Sequence, residues 1–471
     1  MLDRPVLDRP ALTARYLEEV QQQGVSPADL LRDVASSERV LLNDFHPGAR
    51  YLTRPLLASR EEITRLHADV ETVRSLLVSL PDRLYDGDFA AFARDAGASG
   101  YQLQALLASR SERVSPQARA DLHEDATGFR LMEFNPGSAL GGMENADICR
   151  VMLQAPVLAR FAGRHRLGFV DTQREQVANL YADTGFSPGS SPVVAVTDWP
   201  TSYAGVLGPY MHKLAARWTE MGLDAHACHI GELQVRGGRV WLAATPARDR
   251  RPADIPVDIV ARMFMLDYLL EPGAAELMDP VLGAVARGEV AMYTPLDCEL
   301  YGSKSSLAML SDERNRHLFT TAERASVDAI VPWSRPLRPG PVTLEDGRVV
   351  DLVDYALAQP EELVIKPTLR YGGLEVLPGW QAGITPELWR ERLTKALGGP
   401  YVLQRRIRPV SELFPGEGGQ MVPWNVVWGV FTGVNGFGGI FTRAGLAGSG
   451  QAVLNLHGGA HIGCCLNETR P

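Results

Sequence analysis

Residues 119–137 read RADLHEDATGFRLMEFNPG, and the way this stretch pairs with itself decides the fold. Phe129–Asn135 alternates so that Glu133 and Asn135 share one face and Phe134 takes the other. The preceding strand, about 118–123, carries Arg119 and Asp121 on a single face. A loop closing on 126–128, with Asp125 opposite Phe129, sets Asp121 opposite Glu133 and Arg119 opposite Asn135. A loop two residues longer keeps that register. An even-numbered loop shifts it by one and turns Arg119 and Asp121 to the other face. In the first arrangement three oxygen ligands converge, two of them anionic, which suits a hard divalent cation. Magnesium takes one or two carboxylates and completes its octahedron with water and phosphate oxygens. An adjoining arginine can grip those phosphates through two N–H groups. The plain alternative is a hairpin with one solvated face, on which Arg119 pairs with a nearby acid.

The surrounding chain bounds this reading. At 471 residues it is too long for one simple core, so two or three domains are expected. It carries 47 basic against 56 acidic residues, for a net charge of −9. No basic stripe is visible, which argues against a nucleic-acid or anionic-membrane surface. The opening MLDRPVLDRP lacks the apolar core of a signal peptide and reads as a short disordered arm. Val422–Phe441 is uncharged but holds five glycines and two asparagines. It therefore reads as two strands, about 425–432 and 438–443, reversed at Val434-Asn435-Gly436, and not as a membrane span. Five scattered cysteines, Cys149, Cys228, Cys298, Cys464 and Cys465, suit reduced thiols in a cytoplasmic protein.

Residues 10–115 have helical periodicity. Helices are expected at Ala11–Gln23, at Pro27–Ala35, from a Ser59 cap through Leu80, and at about 100–109. A helix from about 145 to 154 follows the hairpin. Between 190 and 270 the pattern alternates. It gives a strand at Val193–Thr197, a helix at Gly208–Met221, a hairpin over Gly231–Ala244 and a helix at Pro256–Leu270. That order predicts a βαβ unit in a partly parallel sheet. Pro332–Pro341 reads as a proline-rich connection. Strands near 363–366, 374–377 and 401–407 and a helix at 386–397 make the last third α+β with an antiparallel sheet.

Two lysines sit where a phosphate could be held. Lys304 lies in Tyr301-Gly302-Ser303-Lys304-Ser305, ahead of an apolar helix. Lys366 leaves a strand into Pro367-Thr368-Leu369-Arg370-Tyr371-Gly372-Gly373, and glycine lets backbone N–H groups approach oxygens. An ordinary surface lysine is the plain reading of each. Pro400–Ile407 is an apolar strand with one amide, Gln404. Its backbone could recognise adenine, or it could be a core strand.

Taken in this order, the segments resemble the circularly permuted ATP-grasp proteins, and among them the synthetase domain of glutathionylspermidine synthase. That family carries Arg-x-Asp, then Glu-x-Asn twelve residues after the Asp. Arg119, Asp121, Glu133 and Asn135 reproduce this without a gap. Lys304 and Lys366 match its two lysines, Tyr401–Arg405 its adenine-hinge strand, and Arg443 its late arginine. Metal ligands placed before the lysines mark the permuted arrangement. The resemblance spans roughly 115–455. It implies a multidomain α/β and α+β chain. The helical region read at 1–115 has no counterpart in that family; a metal-binding hairpin and helix at 116–160 follow it. A βαβ-containing substrate domain covers 161–290, and a lysine and adenine-binding portion 291–471. It also implies ATP and Mg²⁺, with Asp121, Glu133 and Asn135 on the metal and Arg119 and Arg443 on the phosphoryl group. Arg262, in an Asp-x-x-x-Arg stretch, is placed near the cleft. Lys304, Lys366, Tyr371, Gly372, Gly373, Tyr401, Leu403 and Gln404 are expected on the nucleotide. One departure is plain. The family's loop after the second lysine usually runs Lys-Pro-x-x-Gly-Arg-Glu-Gly, whereas Arg370-Tyr371-Gly372 stand here and only Gly373 keeps register.

The activity so implied is ATP-dependent amide formation between a small carboxylate, such as an amino acid or peptide, and an amine. A catalytically silent ATP-grasp scaffold and an ATP-dependent phosphotransferase are the alternatives. Other signals are weaker. His226-Ala-Cys228-His229 and the tail's His457, His461, Cys464 and Cys465 read as ordinary strand residues, not zinc ligands. Tyr293–Glu299 reads as a solvated loop, with a substrate-pocket wall as the alternative.

Overall fold

A computed structural model describes residues 8–469 apart from 47, 112, 245–252, 417 and 457. Most of the opening arm and His457 thus lie outside the described residues. The central sheet has eight strands. Its main order is Leu56–Ala58, His461–Glu468, Gly436–Leu446, Met421–Gly433, Ala118–Asp125 and Gly128–Pro136. All of these pair antiparallel except Leu56–Ala58, which runs parallel to His461–Glu468. The two strands read from Val422–Phe441 are longer than expected and reverse over the two residues Val434 and Asn435. Among the described residues no helix is long and apolar enough to cross a membrane.

One face of this sheet is covered by the helix Arg60–Tyr85. Ser59 caps it by accepting from the Glu62 N–H, and Ile63, Leu66, Val70, Val73, Leu76, Leu77 and Leu80 form its buried stripe. It runs past the expected end at Leu80 because Pro81 forfeits only its own bond to the preceding turn. The stripe meets Ala118, Ala120 and Leu122, the inward residues of the first hairpin strand, in one continuous core that reaches Cys465. The opposite face of that strand carries Arg119, Asp121 and His123.

The hairpin differs from expectation in an instructive way. Its loop is Ala126-Thr127, an even-numbered turn, so near the tip Asp125 faces Gly128 and His123 faces Arg130. A β-bulge at Met132 then inserts one unpaired residue, and beyond it Asp121 faces Glu133 and Arg119 faces Asn135. The bulge restores the alignment that the turn alone would have lost.

A second sheet is wholly parallel, in the order Ala291–Tyr293, Ile259–Arg262, Val193–Asp198, Asp224–His229. Its last two strands are joined by the helix Gly208–Glu220, the expected βαβ unit. The helix read at Pro256–Leu270 is absent. Ile255–Val257 and Ile259–Arg262 are strands, followed by a 3₁₀ turn at Leu266–Leu270. A fully buried strand flanked on both sides is apolar throughout, so periodicity cannot tell it from a helix, and β-branched Ile255, Val257, Ile259 and Val260 favour the strand.

The third sheet is antiparallel, in the order Ser334–Pro336, Tyr401–Arg405, Leu363–Pro367, Leu377–Pro378. Part of the proline-rich connection is therefore an edge strand, where a proline with no N–H is tolerated. The segment Tyr293–Glu299 is not a solvated loop: Asp297, Cys298 and Glu299 are all buried.

Candidate functional site

The central and third sheets face each other across a cavity of about 640 Å³. Arg119, Asp121, Glu133, Asn135, Lys366, Tyr371, Gly372, Gly373, Gln404 and Arg443 all line it. Asp121 is the hub. Arg119 grips it with Nε at 2.7 Å and Nη2 at 2.9 Å, Arg443 Nη2 lies 2.7 Å away, and Asn135 Nδ2 donates at 3.1 Å. Burial alone would raise the Asp121 carboxyl, but the two guanidiniums outweigh it and hold the group at about 2. Arg443 reaches the hub from two strands away. The strand between them carries Gly429 opposite Asp121. A Cβ at Gly429 would stand 2.9 Å from Arg119 Cδ, so only glycine leaves room for that side chain.

Glu133 is half-buried, 3.3 Å from Lys304 Nζ. Burial raises its carboxyl, and Lys304 and Lys366 reverse the shift to a net lowering. Lys304 opens the helix Lys304–Ser311 beneath a Ser303 cap and is nearly inaccessible. Its ammonium donates to Arg370 O at 2.7 Å and lies 5.1 Å from the Tyr371 ring centroid. Lys366 donates to Gln404 Oε1 at 2.6 Å and to Met132 O at 2.9 Å. The second bond places the ammonium on the carbonyl of the bulged residue. Burial drives the Lys366 ammonium down to about 8, with Glu133 opposing and Lys304 assisting.

The divergent loop after Lys366 is fastened over the cavity. Arg370 Nη1 lies 3.7 Å from Asp267, and Asn455 Nδ2 donates to Gly372 O at 2.9 Å. Gly373 has φ +79°, and a Cβ there would fall 2.7 Å from Val453. The Tyr371 hydroxyl faces Glu299 without completing a hydrogen bond.

Four expected residues do not line the cavity: Lys304, whose ammonium pairs with Glu133, and Arg262, Tyr401 and Leu403. Arg262 is fully buried, pairs with Glu299 and donates to Thr294 O at 2.8 Å. It supports the wall that Glu299 forms and does not line the cavity itself. Tyr401 and Leu403 lie in a strand hydrogen-bonded on both sides, by Leu363–Pro367 and by Ser334–Pro336. Their backbone is consumed by the sheet, which corrects the expectation of an adenine-facing edge. The cavity is lined instead by the next residues, Arg406–Pro409, where Ile407 and Arg408 make no backbone–backbone hydrogen bond among the described residues. His123, Trp380 and the loop 451–456 also line the cavity without having been anticipated, and Glu299 lines it as the alternative reading of Tyr293–Glu299 had it. Strand alternation from Asp121 points to His123; no sequence pattern marks Trp380 or that loop. His123 Nδ1 lies 2.8 Å from Val426 O, and burial lowers the ring to about 4.

No family model matches the chain, and no curated protein matches it in sequence. Solved structures do. A glutathione synthetase-like effector from Globodera pallida, in its apo form, is 12% identical with a TM-score of 0.51. The match covers 88% of this chain and 90% of that one. The two share a fold. A protein assigned as a γ-glutamylcysteine synthetase from Methylobacillus flagellatus is 11% identical over 88% of this chain and 89% of its own, with a TM-score of 0.42. D-alanyl-alanine synthetase A from Vibrio cholerae is 10% identical over 52% and 68%, with a TM-score of 0.24.

Proposed function

We propose that the chain is an ATP-dependent carboxylate–amine ligase of the circularly permuted ATP-grasp type, similar to the synthetase domain of glutathionylspermidine synthase. The observation that carries this is the meeting, on one cavity, of Asp121, Glu133 and Asn135 with Arg119, Arg443 and Lys366, with Lys304 paired to Glu133. The cavity is lined by Arg119, Lys366, Arg405, Arg406, Arg408 and Arg443 against Asp121, Glu133 and Glu299, a surplus of positive charge that suits a triphosphate. The residues fit magnesium. Asn135 turns its nitrogen to Asp121, leaving its oxygen for the cavity, and among the described residues Glu133 is ion-paired to Lys304 alone. Asp121, shared between two guanidiniums, would hold the ion in competition with them. Asp121, Glu133 and Asn135 would thus form the ligand set, and the ion would supply charge neutralisation at the phosphates.

In this reading the substrate carboxylate attacks the γ-phosphorus of ATP, releasing ADP and forming an acylphosphate. The amine then displaces phosphate and gives up a proton as the amide forms. Arg119 and Arg443 steady the phosphoryl group, and Lys304 and Lys366 bind phosphate oxygens. The loop Leu369–Gly373 keeps water from the acylphosphate. Arg262 orients Glu299 at the far wall.

The test is ADP and phosphate release over pooled amino acids and amines, with mass spectrometry of the products. Amine-dependent phosphate release supports the ligase. ATP binding without turnover supports a silent scaffold, and a stable phosphorylated product without free phosphate supports a phosphotransferase. Glu133→Gln is expected to cut turnover by at least about 100-fold with an unchanged circular dichroism spectrum. Near-normal turnover would remove Glu133 from the reacting centre.

A further inference from the structure

His123 stands two residues beyond Asp121, on the same strand and face, 7% exposed and lining the cavity. Its Nδ1 lies 2.8 Å from Val426 O. A carbonyl can only accept, so Nδ1 carries the hydrogen of the uncharged ring. Nε2 is then a bare lone pair, with no protein partner among the described residues.

A lone pair is misplaced in a wall built for phosphate. Phosphate oxygens are acceptors and would repel it, so Nε2 needs a donor on the ligand. Its place along the strand narrows the choice. Two residues of strand advance about 7 Å, away from Arg119 and toward the hairpin tip. The next residue, Glu124, accepts at its carbonyl from Val410 N at 2.8 Å, one residue past the segment Arg406–Pro409. His123 therefore lies between the phosphate-holding end and Arg406–Pro409. There the backbone of Ile407 and Arg408, unpaired with other backbone among the described residues, suits a base in place of the strand first expected. In a nucleoside triphosphate the group between phosphate and base is the ribose, which offers two hydroxyl donors.

We propose that His123 Nε2 accepts a hydrogen bond from a ribose hydroxyl of the bound nucleotide, making the site select ribonucleotides over deoxyribonucleotides. This rests on the nucleotide reading of the cavity given above. The test is equilibrium calorimetry of ATP, 2′-deoxy-ATP and 3′-deoxy-ATP with the wild type, His123→Phe and His123→Gln. The wild type should hold one deoxy analogue about tenfold more weakly than ATP. His123→Phe should bind all three alike, at the affinity the wild type shows for that analogue. His123→Gln, which offers an acceptor at similar reach, should keep part of the preference and decides the matter if the Phe variant does not fold. Equal binding of the three nucleotides by the wild type overturns this inference and leaves nucleotide binding standing, as does undiminished discrimination in His123→Phe or a uniform loss across all three. Binding of none of them by the wild type overturns the nucleotide reading and this inference together.

Discussion

Lys366 is where burial and charge contend most directly. Its ammonium is driven down to about 8, so it is charged at neutral pH and loses its proton as pH rises through 8. Binding a triphosphate needs the charged form. ATP affinity is therefore expected to hold up to about pH 7.5 and to fall about tenfold by pH 9, because each unit above the pKa removes a factor of ten in charged fraction. Lys366→Arg, charged throughout, should flatten that dependence in a calorimetric series. Single residues were legible to different degrees. Arg119, Asp121, Glu133 and Asn135 could be grouped because alternation and spacing both constrain them. His123 obeys the same alternation, yet a lone histidine carries no spacing to notice. Arg262 is different: it was placed near the cleft and acts there through Glu299, a pairing across 37 residues that no spacing marks.

Elements were read well where period and caps agreed, as in the Ser59-capped helix, and poorly where burial erased period, as at Pro256–Leu270. The acid hairpin was read with the right facing pairs and the wrong turn. Its two-residue loop and the bulge at Met132 cancel, and a bulge has no sequence mark of its own. The expected adenine-facing edge was misplaced for a related reason. Whether a strand is at an edge depends on what pairs beside it, and the edge strand Ser334–Pro336 was concealed in a proline-rich run. The loop Leu369–Gly373, whose sequence departs from the resembling family, is held by contacts from three separate segments. Asn455→Ala deletes one of them, a bond contributing about 1 kcal/mol. It should speed amide exchange at residues 369–373 about fivefold, measured by mass spectrometry, with exchange in the helix Arg60–Tyr85 unchanged. Equal exchange in the loop would show that this contact does not fasten it.

At the scale of the whole molecule, the described residues between Asp8 and Ser59 close the fold instead of decorating it. Leu56–Ala58 pairs with the last strand, Leu12 and Tyr16 lie in a shared core with Ile462 and Cys464, and Arg9 pairs with Glu62, Glu124 and Glu412. Deleting residues 1–58 would expose that strand edge and core together, and the product should elute as aggregate in size-exclusion chromatography. A monomeric, folded product would contradict this. Sequence period showed helices here but could not show what they cover, because the covering partners lie some 400 residues away, as in the pairing of Leu56 with Cys465. The same long-range pairing governs how the protein emerges during synthesis. The acid hairpin is among the earlier segments to leave the ribosome, but the strand that presents Gly429 to Asp121 and the one that brings Arg443 are among the last. No nascent chain ending before the Gly436–Leu446 strand has Asp121 between both guanidiniums, so on the proposed reading nucleotide would steady this protein only once translation is nearly finished.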